Sequence, residues 1–299
     1  MGSINQDMVA RVPHLPAAGE TVLGHELVIA PGGKGLNQAV AAARLGASTA
    51  FVGLVGDDGA GARLLTVLDD EGIDTRAVEK VNALTGRALI AVAEDGENHI
   101  VVVPGANWVV TPDHVESHRR VILSARVVLT QLEIPLDAVE RALRLARGND
   151  ARTMLNATPP VALGAELLSL IDILVVNEHE AAAMATVAVS TPAEAAEAGH
   201  ALRARGCGVV IVTLGAEGAV LVSADGVIHQ RAIPVEVVDT TAAGDAFAGG
   251  FAARLAEGAG LPDALEWAVA AGSLAVTALG AAPSIPRRAD VARALSGGG

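Results

Sequence analysis

The sequence has 299 residues but no tyrosine, one cysteine, and only two lysines, Lys34 and Lys80, among 21 basic residues. A single cysteine excludes an internal disulfide and a thiolate zinc cluster, as is typical of proteins from a reducing compartment. No secretory signal pattern is present, because the chain turns polar within its first residues. These absences lead us to expect a cytoplasmic protein.

Excess positive charge and long apolar runs are also missing. The formal net charge is −13, so nucleic acid and anionic membrane surfaces are poor partners for the chain as a whole. The one uncharged stretch worth testing as a membrane span, 267–286, is rich in small residues and is interrupted by Pro283 and Pro286. That composition favours a buried helix followed by a loop. We expect neither a nucleic acid nor a membrane partner.

Short apolar runs alternate with Ala/Leu/Arg-rich helical stretches from about residue 107 onward. The runs lack the two-residue alternation of a half-exposed sheet, which predicts parallel strands buried on both faces. The predicted strands are 127–132, 153–156, 173–176 and 209–214, and the predicted helices are 137–147, 192–205 and 245–257. This order predicts an α/β fold with a doubly wound, mostly parallel sheet flanked by helices.

The first hundred residues follow a different pattern. Strand-like segments at 8–12, 21–30, 87–93 and 99–103 surround a helical block at 34–46, a strand at 50–55 and a helix at 60–71. We interpret 8–31 and 84–104 as a small β-sheet lid, inserted in one domain that spans 1–299. Such a lid would close over a ligand and exclude water. A β-extension used for dimerisation is the alternative, and the two roles are compatible.

The commonest nucleotide-binding motifs are absent. Gly33-Lys34 resembles the end of a Walker A loop, but Val28 stands where its first glycine belongs and Gly35 follows the lysine. The glycine run at 56–61 lacks the third glycine of the dinucleotide fingerprint, since Leu64 takes that position. The sequence therefore predicts neither of these two binding modes.

The most informative segment is 239–245, Asp-Thr-Thr-Ala-Ala-Gly-Asp, which runs into an Ala-rich helical pattern. The backbone N–H groups of 242–245 would be unpaired at the positive end of that helix and would form an anion hole. A carboxylate belongs there if Asp245 takes a proton from a hydroxyl while the amides stabilise a phosphoryl group. For this segment alone, an Asp that merely caps the helix is an equally good interpretation.

Three segments in this order resemble the PfkB-type carbohydrate kinases: Gly-Ser-Ile-Asn-Gln-Asp at 2–7, Gly-Gly-Lys-Gly-Leu-Asn-Gln-Ala at 32–39, and 239–245. Supporting matches lie at 131–133, 177–180, 213–215 and 280–284. The resemblance spans essentially the whole chain and is strongest to the ribose-phosphorylating members of the family. It implies transfer of the γ-phosphate of Mg-ATP to the 5-hydroxyl of D-ribose, stimulated by potassium.

The resemblance also implies a role for individual residues. Asp245 would be the base that deprotonates the sugar hydroxyl, and Ala242, Ala243 and Gly244 would form the anion hole. The implied sugar-binding residues are Asn5, Gln6, Asp7, Gly33, Lys34, Gly35, Asn37 and Glu133. Carboxylates that accept O–H, and amide and ammonium groups that donate, suit a polyol. A turn after a strand would explain Asn5 and Asp7 if the matching glycine run were absent.

On the nucleotide side, the residues implied by the resemblance are Asn177, Thr213, Leu214, Gly215, Ala216, Glu217, Gly218 and Gly244. Glu180 would hold Mg²⁺ through water. A monovalent cation, K⁺, would lie beside the anion hole, bound mostly by backbone carbonyls. Its ligands would be oxygens of Asp239, Thr241, Ala275, Ala278, Gly280 and Ser284. The family also implies a homodimer formed through the lid sheet.

Three features depart from the family pattern. Relatives usually carry an apolar run before Gly2 that forms the central first strand, whereas Met1 stands there; we expect a start further upstream or a shortened strand. Arg87 replaces a small or apolar lid residue, and either faces solvent or favours a sugar with a negative group. Val269 lies where relatives often have a polar residue near adenine, which would loosen base specificity.

Two other functions are considered. A nucleoside kinase of the same superfamily would commonly clamp the base with aromatic rings. Neither predicted lid segment contains Phe, Trp or Tyr, which favours a free sugar. A catalytically silent sugar- or nucleotide-binding regulator would be expected to have lost the base, yet Asp245 stands in its full sequence context.

Overall fold

The computed structural model describes residues 1–297 and contains twelve β-strands in that range. They are β1 (Asn5–Val12), β2 (Glu26–Gly32), β3 (Ala50–Gly56), β4 (Asp74–Val81), β5 (Gly86–Ala93), β6 (Asn98–Val103), β7 (Val127–Thr130), β8 (Arg152–Asn156), β9 (Ile173–Asn177), β10 (Val209–Thr213), β11 (Ala219–Ser223) and β12 (Gly226–Gln230).

Eleven α-helices accompany the strands in the same residues. They are α1 (Lys34–Arg44), α2 (Gly59–Asp70), α3 (Pro112–Ser117), α4 (Arg119–Ser124), α5 (Leu136–Arg147), α6 (Ala165–Leu168), α7 (Glu178–Ala185), α8 (Pro192–Ala204), α9 (Ala243–Ala256), α10 (Leu261–Ala275) and α11 (Arg288–Ser296). None of these helices is long and apolar enough to cross a membrane.

The main sheet has the strand order β12-β11-β10-β9-β8-β7. Strands β7 to β10 are parallel, whereas β11 and β12, which lie outside the predicted strands, complete the sheet as an antiparallel hairpin. Successive side chains of β9 pack in two different cores: Leu174 and Val176 in one, Ile173 and Val175 in the other. Helices cover both faces, which confirms the α/β fold expected from the unalternated apolar runs.

A parallel pair, β3 and β4, is separate from the main sheet. A cleft of about 550 Å³ lies between β3 and β7, and the chain start reaches into it. The Met1 amino group donates to the Leu129 carbonyl (2.9 Å), and the Gly2 amide donates to the Val52 carbonyl (3.3 Å). Burial lowers the pKa of the Met1 amine to about 5. Met1 is thus hydrogen-bonded to β7 and Gly2 to β3, and these bonds fix the chain just before β1 begins at Asn5.

A small sheet with the order β2-β1-β5-β6 is built from the two segments expected to form a lid. Its role as a lid stays a prediction. The register aligns Asp7 with Ala30 and Ala88, and aligns Gln6 with Pro31 and Arg87. Because successive side chains alternate between faces, Asp7 lies on one face of this small sheet and Gln6 and Arg87 lie on the other.

Helices α1 and α9 pack closely, and a glycine allows it. A Cβ added at Gly249 on α9 would lie 2.6 Å from the carbonyl oxygen of Gln38 and would also collide with Ala41, both on α1. The two helices carry side chains that meet in the candidate site, so their spacing sets the geometry there.

Candidate active site

Asp245 lies in the first turn of α9 and is 5 % exposed. The residue that precedes the helix, Ala242, has φ 60°, a left-handed conformation that is uncommon for a residue other than glycine. The Ala243 amide donates to the Thr240 carbonyl at 3.3 Å, but no acceptor within residues 1–297 pairs with the amides of Ala242, Gly244 or Asp245. A left-handed residue and unpaired amides at a helix start form a pocket suited to an anion.

Two amide side chains from α1 hold the Asp245 carboxylate. Asn37 Nδ2 donates to Oδ2 at 3.0 Å, and Gln38 Nε2 donates to Oδ1 at 2.9 Å. Gln38 Nε2 also donates to Asn156 Oδ1 at 3.0 Å, at the end of β8. Gln38 and Asn156 are absent from the predicted site, although Gln38 follows Asn37 directly in the glycine-run motif.

Burial raises the pKa of Asp245 above its ordinary value. The positive charge of Lys34 and the hydrogen bonds from Asn37 and Gln38 oppose this shift, while the negative charge of Glu133 adds to it. A helix N-terminus by itself favours the ionised form of an acid, so removal from water outweighs it here. A carboxylate with a raised pKa is a stronger base than an ordinary aspartate, as general-base chemistry requires.

Two further carboxylates, Asp7 and Glu133, face Asp245. Burial, reinforced by the negative charges of Glu133 and Asp245, raises the pKa of Asp7 to about 7. Glu133 is anchored, since its Oε2 accepts from Ser3 Oγ at 2.5 Å and from the Lys34 amide at 3.2 Å. The predicted residues Asp7, Lys34, Glu133 and Asp245 therefore converge, with Ser3 as an unpredicted anchor.

The ionisation of Asp7 gives a testable stability profile. Its pKa is raised from 3.8 to about 7 on folding, so its ionisation equilibrium stabilises the folded state below pH 4. This contribution to stability is lost as the pH rises through 7. We compare the unfolding free energy of Asp7→Asn with that of the unsubstituted protein, both without ligand. We expect this difference to favour the variant more at pH 8 than at pH 4, by at most about 4 kcal/mol. Urea unfolding of both proteins at the two pH values measures this. An equal difference at pH 4 and pH 8 would contradict it.

Asn5 is fixed by a residue far along the chain. Asn107, in the short 3₁₀ turn Gly105–Val109, donates from Nδ2 to Asn5 Oδ1 at 2.7 Å and accepts from the Ile4 amide at 2.9 Å. In the same turn Trp108 is 58 % exposed. Asn107 thus contacts the candidate site, although nothing next to it in sequence marks it.

The glycine run has a steric cause. A Cβ at Gly33, which has φ 89°, would lie 2.8 Å from the Asn5 amide, and a Cβ at Gly35 would lie 2.5 Å from the Ser3 amide. A Cβ at Gly32 would collide with the carboxylate of Asp7. Glycine at 32, 33 and 35 therefore lets the start of α1 pack directly on residues 3–7.

Two residues of the small sheet lie apart from the cluster of Asp7, Lys34, Glu133 and Asp245. Gln6 and Arg87 are on the face opposite Asp7, as the register requires. Arg87 Nη2 lies 3.7 Å from Asp58 Oδ2, and Asp58 in turn caps α2 by accepting from the Gly61 amide at 2.8 Å. The Arg87 side chain is 35 % exposed and paired with Asp58, so both roles expected for it, facing solvent and favouring an anionic sugar, stay predictions.

The predicted nucleotide residues lie at the carboxyl ends of β9 and β10. Asn177 and Glu180 form a capping box on α7, in which Asn177 Oδ1 accepts from the Glu180 amide (2.8 Å) and Glu180 Oε2 accepts from the Asn177 amide (2.9 Å). Glu180 Oε1 accepts from Thr158 Oγ1 at 2.6 Å. Thr213 ends β10, and Leu214, Gly215, Ala216, Glu217 and Gly218 form the following turn. Their binding roles stay predictions.

The proposed cation ligands come from the 239–241 loop, from Ala275 at the end of α10, and from residues 278–284 that follow this helix. Asp239 Oδ1 accepts from Thr241 Oγ1 (2.6 Å), and its Oδ2 accepts from the Gly280 amide (2.9 Å). Burial opposes ionisation of Asp239, but these hydrogen bonds hold its pKa below the usual value. The 239–241 loop and the 280–284 loop are thereby fixed side by side, next to the start of α9.

Comparison with known proteins bears on this geometry. The pfkB family carbohydrate kinase pattern matches residues 1–288. The chain belongs to the pfkB family of carbohydrate kinases. It is 42 % identical to the ribokinase of Haemophilus influenzae over 294 residues, covering 97 % of this chain and 95 % of that protein. It is 38 % identical to Mus musculus ribokinase, with coverage of 99 % and 93 %.

Solved structures give the same result for the fold. Arabidopsis thaliana ribokinase complexed with ribose and ATP superposes with a TM-score of 0.91 at 34 % identity, covering 98 % of this chain and 96 % of that one. Thermotoga maritima ribokinase superposes with a TM-score of 0.91 at 32 % identity, covering 99 % and 97 %. The family resemblance and the α/β fold expected from the sequence are both confirmed.

Proposed function

We propose that this protein phosphorylates D-ribose at its 5-hydroxyl, with Mg-ATP as the phosphoryl donor. The observation that carries the proposal is the position of Asp245, a buried carboxylate with a raised pKa among unpaired amides. The full-length similarity to ribokinases and to a structure that holds ribose and ATP supports the choice of substrates.

Asp245 and the backbone amides at the start of α9 carry out the phosphoryl transfer. The ribose O5–H donates to the Asp245 carboxylate, and O5 attacks the γ-phosphorus as the proton moves to Asp245. The bond from the γ-phosphorus to the β,γ-bridging oxygen breaks in line, and the electron pair leaves on the ADP product. The N–H groups of Ala242 and Gly244 stabilise the charge of the transferring group. The Asp245 contacts to Asn37 and Gln38 keep its carboxylate aimed.

Sugar recognition falls to the polar cluster around Asp7. The carboxyl oxygens of Asp7 and Glu133 accept hydrogen bonds from adjacent sugar hydroxyls, and Asn5 and Asn37 bind hydroxyls through their amides. Gly33 and Gly35 let the start of α1 pack against residues 3–5 and so position Lys34 and Asn37, and the Lys34 charge offsets the carboxylates. Gln6, on the opposite face of the small sheet, supports β1 without facing this cluster.

The nucleotide residues suit Mg-ATP. Both oxygens of Glu180 already accept hydrogen bonds, so Glu180 would reach Mg²⁺ through a bound water, as the family resemblance implies. When bound, Mg²⁺ neutralises charge on the phosphates of ATP. Asn177 and Gly244 would contact phosphate oxygens. The turn Thr213 to Gly218 would hold adenine and ribose, and apolar Val269 would make base specificity loose.

A monovalent cation fits the joined loops beside α9. The proposed donors are the Asp239 carboxylate and the oxygens of Thr241, Ala275, Ala278, Gly280 and Ser284. Oxygen donors with a single carboxylate charge suit a weakly charged ion such as K⁺ rather than a transition metal. Asp239 and Thr241 would couple the cation to the start of α9, so its charge would favour an anion there.

A homodimer through the small sheet is supported by the exposed apolar side chains of that sheet. Ile29, Leu89 and Val101 are aligned across β2, β5 and β6, and are 54 %, 44 % and 59 % exposed. They lie on the face opposite Asp7. An apolar row of this kind on an exposed sheet face is typical of a surface that is covered by a partner.

The deciding experiment is a turnover assay with Mg-ATP and ribose, deoxyribose, fructose, adenosine or pseudouridine, each with K⁺ or with tetramethylammonium as the only monovalent cation. We expect the highest kcat/KM for ribose and a higher rate with K⁺. Turnover of nucleosides without pentoses would instead assign the nucleoside-kinase function. Binding of sugar and ATP without any product would assign the regulator. A K⁺-independent rate would overturn only the cation.

A further inference from the structure

Three metal-ligating side chains meet outside the sugar and nucleotide regions. Glu79 projects from β4, His114 lies in α3, and His118 directly follows α3. Within residues 1–297 no other group of three His, Cys, Asp or Glu side chains brings its ligand atoms together in this way. The mechanism proposed above uses none of the three.

The distances are close to those of a metal centre. Glu79 Oε1 lies 2.7 Å from His118 Nε2, and Glu79 Oε2 lies 3.7 Å from His114 Nδ1. One ligand atom from each residue lies within 4.8 Å of the other two. A tetrahedral zinc ion with bonds of about 2.0–2.1 Å separates its ligand atoms by roughly 3.3 Å, so small side-chain shifts suffice.

The two histidines are presented together by the chain. They are four residues apart, and their rings meet edge to face with centroids 4.9 Å apart. Their side chains are 7 % and 18 % exposed, whereas the Glu79 side chain is 51 % exposed. The imidazoles are therefore held by packing, and the carboxylate side remains open to solvent for a fourth ligand.

The hydrogen-bond state of His114 also favours a cation. Its Nε2 is buried without a hydrogen-bond partner in the described part of the chain. When the ring carries its hydrogen on Nε2, the Nδ1 lone pair is available as a ligand beside the Glu79 carboxylate oxygen 3.7 Å away. One cation could then bind both atoms.

We propose that Glu79, His114 and His118 bind one Zn²⁺ ion, with water as the fourth ligand. Two imidazoles and a carboxylate form a donor set that zinc uses in proteins. The ion would fasten the separate β3–β4 pair to α3, which lies outside that pair. Its role would therefore be to stabilise this part of the fold rather than to take part in phosphoryl transfer.

Titration of the tag-free protein with ZnCl₂ tests the site by calorimetry, and CoCl₂ reports ligand geometry by visible absorption. We expect one ion per chain, four-coordinate cobalt bands, and a higher unfolding temperature with Zn²⁺. His118→Gln and Glu79→Gln should each weaken binding at least about tenfold. The matched control is His179→Gln, because the His179 side chain is 88 % exposed and lies outside the cluster.

Several outcomes would overturn the proposal: no Zn²⁺ binding at micromolar concentration, unchanged binding in both cluster variants, or an equal loss in His179→Gln. A cluster variant that unfolds would be replaced by Glu79→Asp, which keeps the charge but withdraws the ligand and should also weaken binding. Ribose turnover is not the readout, so a negative result here leaves the proposed function standing.

Discussion

Asp245→Asn is expected to lower kcat for ribose phosphorylation by about 10³-fold, since general-base catalysis typically contributes 10²- to 10⁴-fold. The asparagine side chain has nearly the same shape and stays beside Asn37 and Gln38, but it cannot take the proton from O5. Binding of ATP and of ribose should persist. Steady-state kinetics with a nucleotide-binding measurement by calorimetry would separate the two effects.

The matched control for this variant is Asp70→Asn, on the exposed end of α2, which should turn over normally. If Asp245→Asn retained more than a tenth of the normal kcat while it bound ATP, the base would have to be another group. The nearby carboxylates Asp7 and Glu133 would then be the candidates to replace next.

Gly249→Ala is expected to destabilise the protein by about 2 kcal/mol, because its Cβ has no space between α9 and α1. The added carbon would lie 2.6 Å from the Gln38 carbonyl oxygen and 2.9 Å from the Ala42 amide nitrogen, and neither backbone atom can move alone. Separation of the helices would also lengthen the Gln38 contact to Asp245, so kcat should fall together with the unfolding temperature. Thermal unfolding and steady-state kinetics measure both.

Gly250→Ala is the control for that substitution, at the next position of the same helix. Its Cβ would lie 3.0 Å from a terminal methyl of Leu45 and 3.3 Å from the Ala271 Cβ. Both variants gain the same helix propensity, about 1 kcal/mol over glycine. A smaller loss in Gly250→Ala isolates the collision at Gly249, whereas equal losses would show that the α1–α9 contact tolerates the methyl group.

The hydrophobic pattern of the sequence predicted the strands whose residues are apolar at every position. The run at 173–176 has apolar residues at every position, and β9 is buried on both faces for that reason. Strand β4 was missed because charged residues interrupt it and much of it is exposed. The hairpin of β11 and β12 was missed as well, although a Gly-containing turn joins its strands.

The candidate site shows a similar division. Asn37 and Asp245 stand in recognisable motifs, and they meet because α1 and α9 pack together. Asn107 and Asn156 reach the site through tertiary contacts, which no spacing in the chain encodes. The raised pKa of Asp245 could not be predicted from the sequence either, because it depends on how completely the folded chain excludes water from the carboxylate.

The absence of tyrosine turns the exposed 3₁₀ turn into an optical probe. The chain has two indole rings. Trp267 is 8 % exposed, and Arg254 Cζ lies over it, 4.9 Å from the centroid of the Trp267 ring. Trp108 is 58 % exposed. Solvated indoles emit at longer wavelength than buried ones, so the red edge of the fluorescence spectrum belongs to Trp108. Its neighbour Asn107 holds Asn5, so the proposed sugar site predicts that this emission changes when ribose binds beside β1.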